Sequence, residues 1–115
     1  MELFERLDAT RERWNVLRHP FYRRWSEGEL TREELAFYAG EYRHAVVALA
    51  HQAAATADLG GAGDRAELAA HAAEEAAHVE LWDDFAAALD AELGRPPLPE
   101  TARCATAWRG GEDLL

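Results

Sequence analysis

The most regular pattern in the chain runs from Leu68 to Leu89. There Leu68, His71, Glu75, His78, Trp82, Phe85 and Leu89 follow one another at steps of three and four. That spacing predicts one stripe of an α-helix from about Arg65 to Leu93, opened by Asp64 and closed by Gly94. A second long helix is predicted from Arg32 to Ala57. Its start is marked by Thr31 and Glu34, a capping box in which each side chain reaches the other's backbone N–H. Phe37, Glu41, His44, Ala48, His51 and Ala55 share one stripe of this helix, and Leu35, Tyr38, Tyr42, Val46 and Leu49 line the adjoining apolar face. With two faces to cover, it is the expected central helix.

Shorter elements flank this pair. Leu3, Leu7, Trp14 and Leu17 recur near the helical period, predicting a helix from Glu2 to Leu17 that ends at His19-Pro20. Phe21 to Trp25 predicts a short helix stopped by Gly28, and the four tryptophans are expected to pack. Leu59-Gly60-Gly61-Ala62-Gly63 reads as the turn between the long helices. Arg95-Pro96-Pro97-Leu98-Pro99 reads as a stiff connector to a helix from Glu100 to Trp108, and Glu112 to Leu115 as the opening of another. The expected fold is all-α: a single helical domain over 1–115 in which two long antiparallel core helices carry shorter N- and C-terminal ones.

Charge narrows the range of partners. The chain carries 22 acidic and 12 basic residues, a formal net charge of −10, which argues against nucleic acid or an anionic membrane. No apolar run approaches the roughly 20 residues of a membrane span. The start lacks the basic and apolar regions of a signal peptide, and the one cysteine, Cys104, fits a reducing cytoplasm. Cys104 is expected to be a small buried residue, and Asp83 and Asp84 a solvated face.

The chemistry lies in two Glu-x-x-His pairs, Glu41 with His44 and Glu75 with His78. One helical turn puts the members of each pair on the same face. If the turn near Gly60 folds the helices back on each other, each pair sits about 16 residues, roughly 24 Å, from it and the two meet at one height. Facing pairs of this kind suit a carboxylate-bridged di-iron or di-manganese site, with carboxylates bridging and imidazoles terminal. Glu41, His44, Glu75 and His78 are therefore the expected metal ligands, with His51 and His71 as core or rim histidines.

From His19-Pro20-Phe21-Tyr22-Arg23-Arg24-Trp25 through Glu34-Leu35-Ala36-Phe37-Tyr38, the chain resembles the opening of heme-oxygenase-like helical proteins. These include the TenA thiaminases, the pyrroloquinoline-quinone synthesis oxidase and the heme-oxygenase-like di-iron oxidases and oxygenases. Glu74-Glu75-Ala76-Ala77-His78-Val79-Glu80-Leu81-Trp82 is similar to the second-helix metal motif of the di-iron branch, and the stretch from Glu100 resembles that branch just before its next core helix. The resemblance spans nearly all of this chain and about the first half of a usual family member. It implies an incomplete heme-oxygenase-like bundle in which Glu75 and His78 are iron ligands. It also implies an O2-activating oxidase or oxygenase acting on a small organic substrate. A cofactor-independent enzyme of the same fold is the alternative, a thiamin hydrolase or quinone-forming oxidase, with Glu41 and Glu75 as acid/base groups of raised pKa. A third reading is an inactive fragment or a helical homodimer, since open core faces favour self-association.

Overall fold

In the computed structural model, residues 2–60 and 63–110 are described. Among them the elements are α1 (Leu3–Arg13), a 3₁₀ turn (Val16–Arg18), α2 (Pro20–Ser26), α3 (Arg32–Leu59), α4 (Arg65–Ala88) and α5 (Pro99–Arg109), with no strand. The expected all-α fold with two long helices is what forms. The predicted opening at Glu112 lies outside the described residues. No helix among them is long and apolar enough to cross a membrane.

The chain divides into two compact units, Met1–Thr31 and Arg32–Leu115. In the first, α1 opens on a capping box in which the Glu2 N–H donates to the Glu5 carboxylate at 3.0 Å. It stops at Arg13 instead of Leu17, because the Asn15 side chain accepts the Leu17 N–H at 3.0 Å and turns the chain into a 3₁₀ loop. Trp14, expected to pack, is 68% exposed. His19 Nδ1 accepts the Phe21 N–H, and Pro20 occupies the first turn, so the predicted break also starts α2.

In the second unit α3 packs against both α4 and α5. Seven of its residues are buried, against Ala86 alone in α4, which makes α3 the centre. The core is small: Ala39, Ala45, Val46, Ala48, Ala53 and Ala86. Alanine at these positions lets backbones approach closely but removes little apolar area from water. Gly40 marks a close backbone approach, since a Cβ there would stand 2.5 Å from the Glu92 carbonyl oxygen.

The inner face of α4 is wider than the sequence stripe and turned slightly from it. Leu68, Ala72, Glu75, Val79, Trp82, Asp83, Phe85, Ala86 and Leu89 are its sheltered positions, while His71 and His78 lie at the exposed rim. Ala72 and Ala86 permit close contact with α3, and the rotation leaves both imidazoles hydrated. The helix ends at Ala88, ahead of the predicted Leu93, in a Schellman turn. Asp90 takes positive φ (54°), with Ala91 N–H donating to the Ala86 carbonyl and Asp90 N–H to the Ala87 carbonyl.

Candidate metal and ligand sites on the central helices

Two clusters hold α4 on α3. The Trp82 indole N–H donates to the Ala39 carbonyl at 2.7 Å, and its ring lies in an aromatic group with Tyr38, Tyr42 and Phe85 at centroid separations of 5.0–5.8 Å. One step along, Arg43 donates to both carboxylate oxygens of Asp83, at 2.6 and 3.3 Å. Asp83, expected on a solvated face, is thus tied to α3. Hydrogen bonding from Arg43 outweighs partial burial and holds its pKa below the ordinary aspartate value. Asp84 is exposed, as expected.

This ion pair fixes the register of the hairpin. Eight residues back from Asp83 along α4 is Glu75, and eight on from Arg43 along α3 is His51. Between this pair and the Trp82–Ala39 bond, Glu75 falls level with α3 between about residues 46 and 51, on the turn side of His44. The expected equal height assumed a turn centred near Gly60, whereas α3 runs to Leu59 and α4 begins at Arg65.

The two Glu-x-x-His pairs have different surroundings. Glu41 is buried against the connector, where one carboxylate oxygen accepts the Leu98 N–H at 2.7 Å and the other the Arg95 guanidinium at 3.2 Å. Burial alone would raise its pKa. Hydrogen bonds from Thr101, Leu98 and Arg95, with the Arg95 charge, outweigh that and hold it below the ordinary glutamate value. His44 Nε2 lies 3.0 Å from the Arg95 carbonyl, which only accepts, so Nε2 carries the proton and donates. Arg95 also stacks over Phe37, its Cζ 4.1 Å from the ring centroid. Glu41 and His44 thus fasten the connector and the start of α5 to α3.

Glu75 and His78 are brought together on α4. The Glu75 carboxylate accepts from His78 Nδ1 at 3.3 Å, and His71 Nε2 stands 3.8 Å from its other oxygen. The Glu75 side chain is 18% exposed and the two imidazoles more than half exposed. A sheltered carboxylate between two reachable imidazoles is hard-oxygen and nitrogen chemistry suited to iron, manganese or zinc. Glu75 and His78 fit as part of an iron site. Both Glu41 oxygens instead already accept from the connector, at Leu98 and Arg95. Among the described residues no three His, Cys, Asp or Glu side chains are grouped to hold a metal ion.

Sequence reasoning missed Arg95 and Arg43, the partners that decide what Glu41 and Asp83 do. Each lies 40 or more residues from its carboxylate, beyond the reach of helical spacing. Cys104 is half-buried with a free thiol.

Comparison with known proteins adds to this geometry. A family model described as the TENA/THI-4/PQQC family matches residues 7–100. Over 123 aligned positions the chain is 32% identical to a 4-aminobenzoate synthase of Nitrosomonas europaea, covering 91% of this chain and 50% of that protein. It is 33% identical over 90 residues to a 4-aminobenzoate synthase of Chlamydia pneumoniae, covering 74% of this chain and 40% of that protein. A 42-residue stretch is 48% identical to the 4-aminobenzoate synthase of Chlamydia muridarum, covering 36% of this chain and 18% of that protein. The chain thus spans half or less of the length of these relatives. No solved structure matches.

Proposed function

We propose a function from one premise: this chain belongs to the TENA/THI-4/PQQC family, within the heme-oxygenase-like helical superfamily. On that premise it belongs to a metal-dependent, oxygenase-type enzyme that uses O2 to make 4-aminobenzoate from a small organic precursor. The observation that carries this reading is the likeness to the Nitrosomonas europaea 4-aminobenzoate synthase, which runs along 91% of the chain. The sheltered carboxylate and its neighbouring imidazole on α4 support it.

In this reading Glu75 and His78 hold iron, with manganese as the alternative metal. Iron supplies the activation of O2 when bound. The residues of this chain do the positioning. Trp82 and Asp83, one turn beyond His78, pin α4 to α3 and so fix the direction from which Glu75 and His78 approach. In this reading Glu41 and His44 seat the connector and the start of α5 instead of holding the metal.

The cofactor-independent alternative asks Glu41 to act as an acid of raised pKa. Its hydrogen bonds shift it in the opposite direction, which removes the support for that role.

Elemental analysis of protein loaded with Fe(II) without oxygen tests the ligands. Iron is expected to fall by at least roughly tenfold in affinity for Glu75→Ala and His78→Ala, and to be unchanged for Glu74→Ala and Glu41→Gln. The product is tested by rescue of a bacterium that cannot make 4-aminobenzoate. Rescue that survives His78→Ala and Glu75→Ala undiminished would overturn the metal role.

A further inference from the structure

Away from Glu75 and His78, a half-open cavity of about 240 Å³ lies between α3 and α5. Its polar lining residues are Arg43 and His44 from α3, and Thr106 and Arg109 from α5, with Pro97 of the connector at its side. Val47, Ala102 and Ala105 give it an apolar wall, and no Asp or Glu is among its lining residues. Asp83 balances the Arg43 charge, which leaves Arg109 as the cation that an acid-free lining offers to a ligand.

We propose that this groove binds a small single-ring organic carboxylate. The donor set is the reason for the carboxylate. A guanidinium pairs with it through two parallel charge-assisted N–H bonds, and a threonine hydroxyl adds one more donor. Arg43 has already committed Nε and Nη2 to Asp83, so its Nη1 and the whole Arg109 fork are what remain for a ligand. The volume is the reason for a single ring, since drug-sized ligands occupy roughly 300–1,000 Å³. The wall of methyl groups suits an apolar ring face better than a sugar or a phosphate, which would leave polar groups unpaired against it.

The location also links binding to the fold. The Glu41–Leu98 and Glu41–Arg95 bonds seat the start of α5 and thereby set the groove's width. A single-ring carboxylate is also the class of the product proposed above, and the inference rests on that reading for its choice of ring; because the probe is benzoate and no metal is added, failure of this test leaves the iron reading standing.

The test is a titration of the isotopically labelled full chain with benzoate, followed by amide NMR shifts. Saturable shifts at Val47, Ala102, Ala105 and Thr106 are expected, with a Kd on the order of 1 mM or tighter. Arg109→Gln is expected to weaken binding by roughly tenfold with α5 helicity unchanged, and benzamide, the same ring without the charge, to bind at least roughly tenfold more weakly than benzoate. Equal binding of benzamide, shifts confined to other surfaces, or preference for inorganic phosphate would overturn the proposal. So would shifts of the same amides on raising protein concentration without benzoate, which would mean that another copy's acidic side chain fills the groove.

Discussion

At the scale of the residue, Glu41 shows how one side chain is diverted from one chemistry to another by its partners. Its spacing to His44 suits a metal ligand, but its two oxygens accept the Leu98 N–H and the Arg95 guanidinium. A charged acceptor at the start of α5 also meets the unpaired N–H groups of a helix terminus. Hydrogen bonds to a charged group are worth about 1.5–3 kcal/mol each, so Glu41→Gln is expected to cost about 2 kcal/mol at neutral pH. The sign of the pH dependence follows from the lowered pKa. A carboxylate more acidic in the folded than the unfolded chain contributes its stability in full above the ordinary value of 4.5, and loses it as pH falls through the lower folded-state value. Urea unfolding of wild type and Glu41→Gln is thus expected to differ at pH 7 and to converge in acid, below the lowered folded-state value. A gap of the same size at both pH values would mean that shape, not charge, is what Glu41 contributes. None of this was legible in the sequence, since Arg95 and Leu98 reach Glu41 from more than 50 residues away.

At the scale of the element, most of the secondary structure was legible because it rests on local physics: a 3.6-residue period, a proline, and polar residues that cap. What escaped was rotation and register. Alanine at 72, 73, 76 and 77 makes neighbouring faces of α4 almost equally apolar, so the stripe through His71 and His78 and the one through Ala72 and Val79 look alike until α3 is placed against them. The end of α4 escaped too, because Asp90 occupies the left-handed position that glycine ordinarily fills. Arg32 compensates for it, donating to the Ala88 carbonyl at 2.9 Å and to the Asp90 carboxylate at 3.1 Å. That ion pair is exposed and contributes little, whereas the left-handed conformation costs a residue with a Cβ about 1 kcal/mol. Asp90→Gly is therefore expected to raise stability by about 0.5–1 kcal/mol, read from the denaturant midpoint at unchanged slope. A loss of stability instead would show that the Arg32 contact outweighs the strain.

At the scale of the whole molecule, the question is how a chain with so little interior stays folded. Its buried apolar residues are alanines and one valine, and no large side chain is fully buried among the described residues. Meanwhile Leu3, Phe4, Leu7 and Leu17 in the first unit and Leu81 in the second stand more than half exposed. Apolar area left in water at roughly 25 cal/mol per Å² is a driving force for association. The net charge of −10 opposes it, since two copies repel each other at low ionic strength. We propose that the chain forms a homodimer held by apolar contact and limited by charge. Salt distinguishes this from association by ion pairs: screening shortens the reach of repulsion from about 30 Å at 0.01 M to about 8 Å at physiological salt, leaving the apolar term in place. Sedimentation at equal protein concentration is expected to show the dimer fraction rising with added sodium chloride. Leu81→Ser is expected to reduce that rise without altering the helical content of α4. A mass that stays at the 12.8 kDa of one chain at every salt and protein concentration would instead mean that the open faces have no counterpart on a second copy.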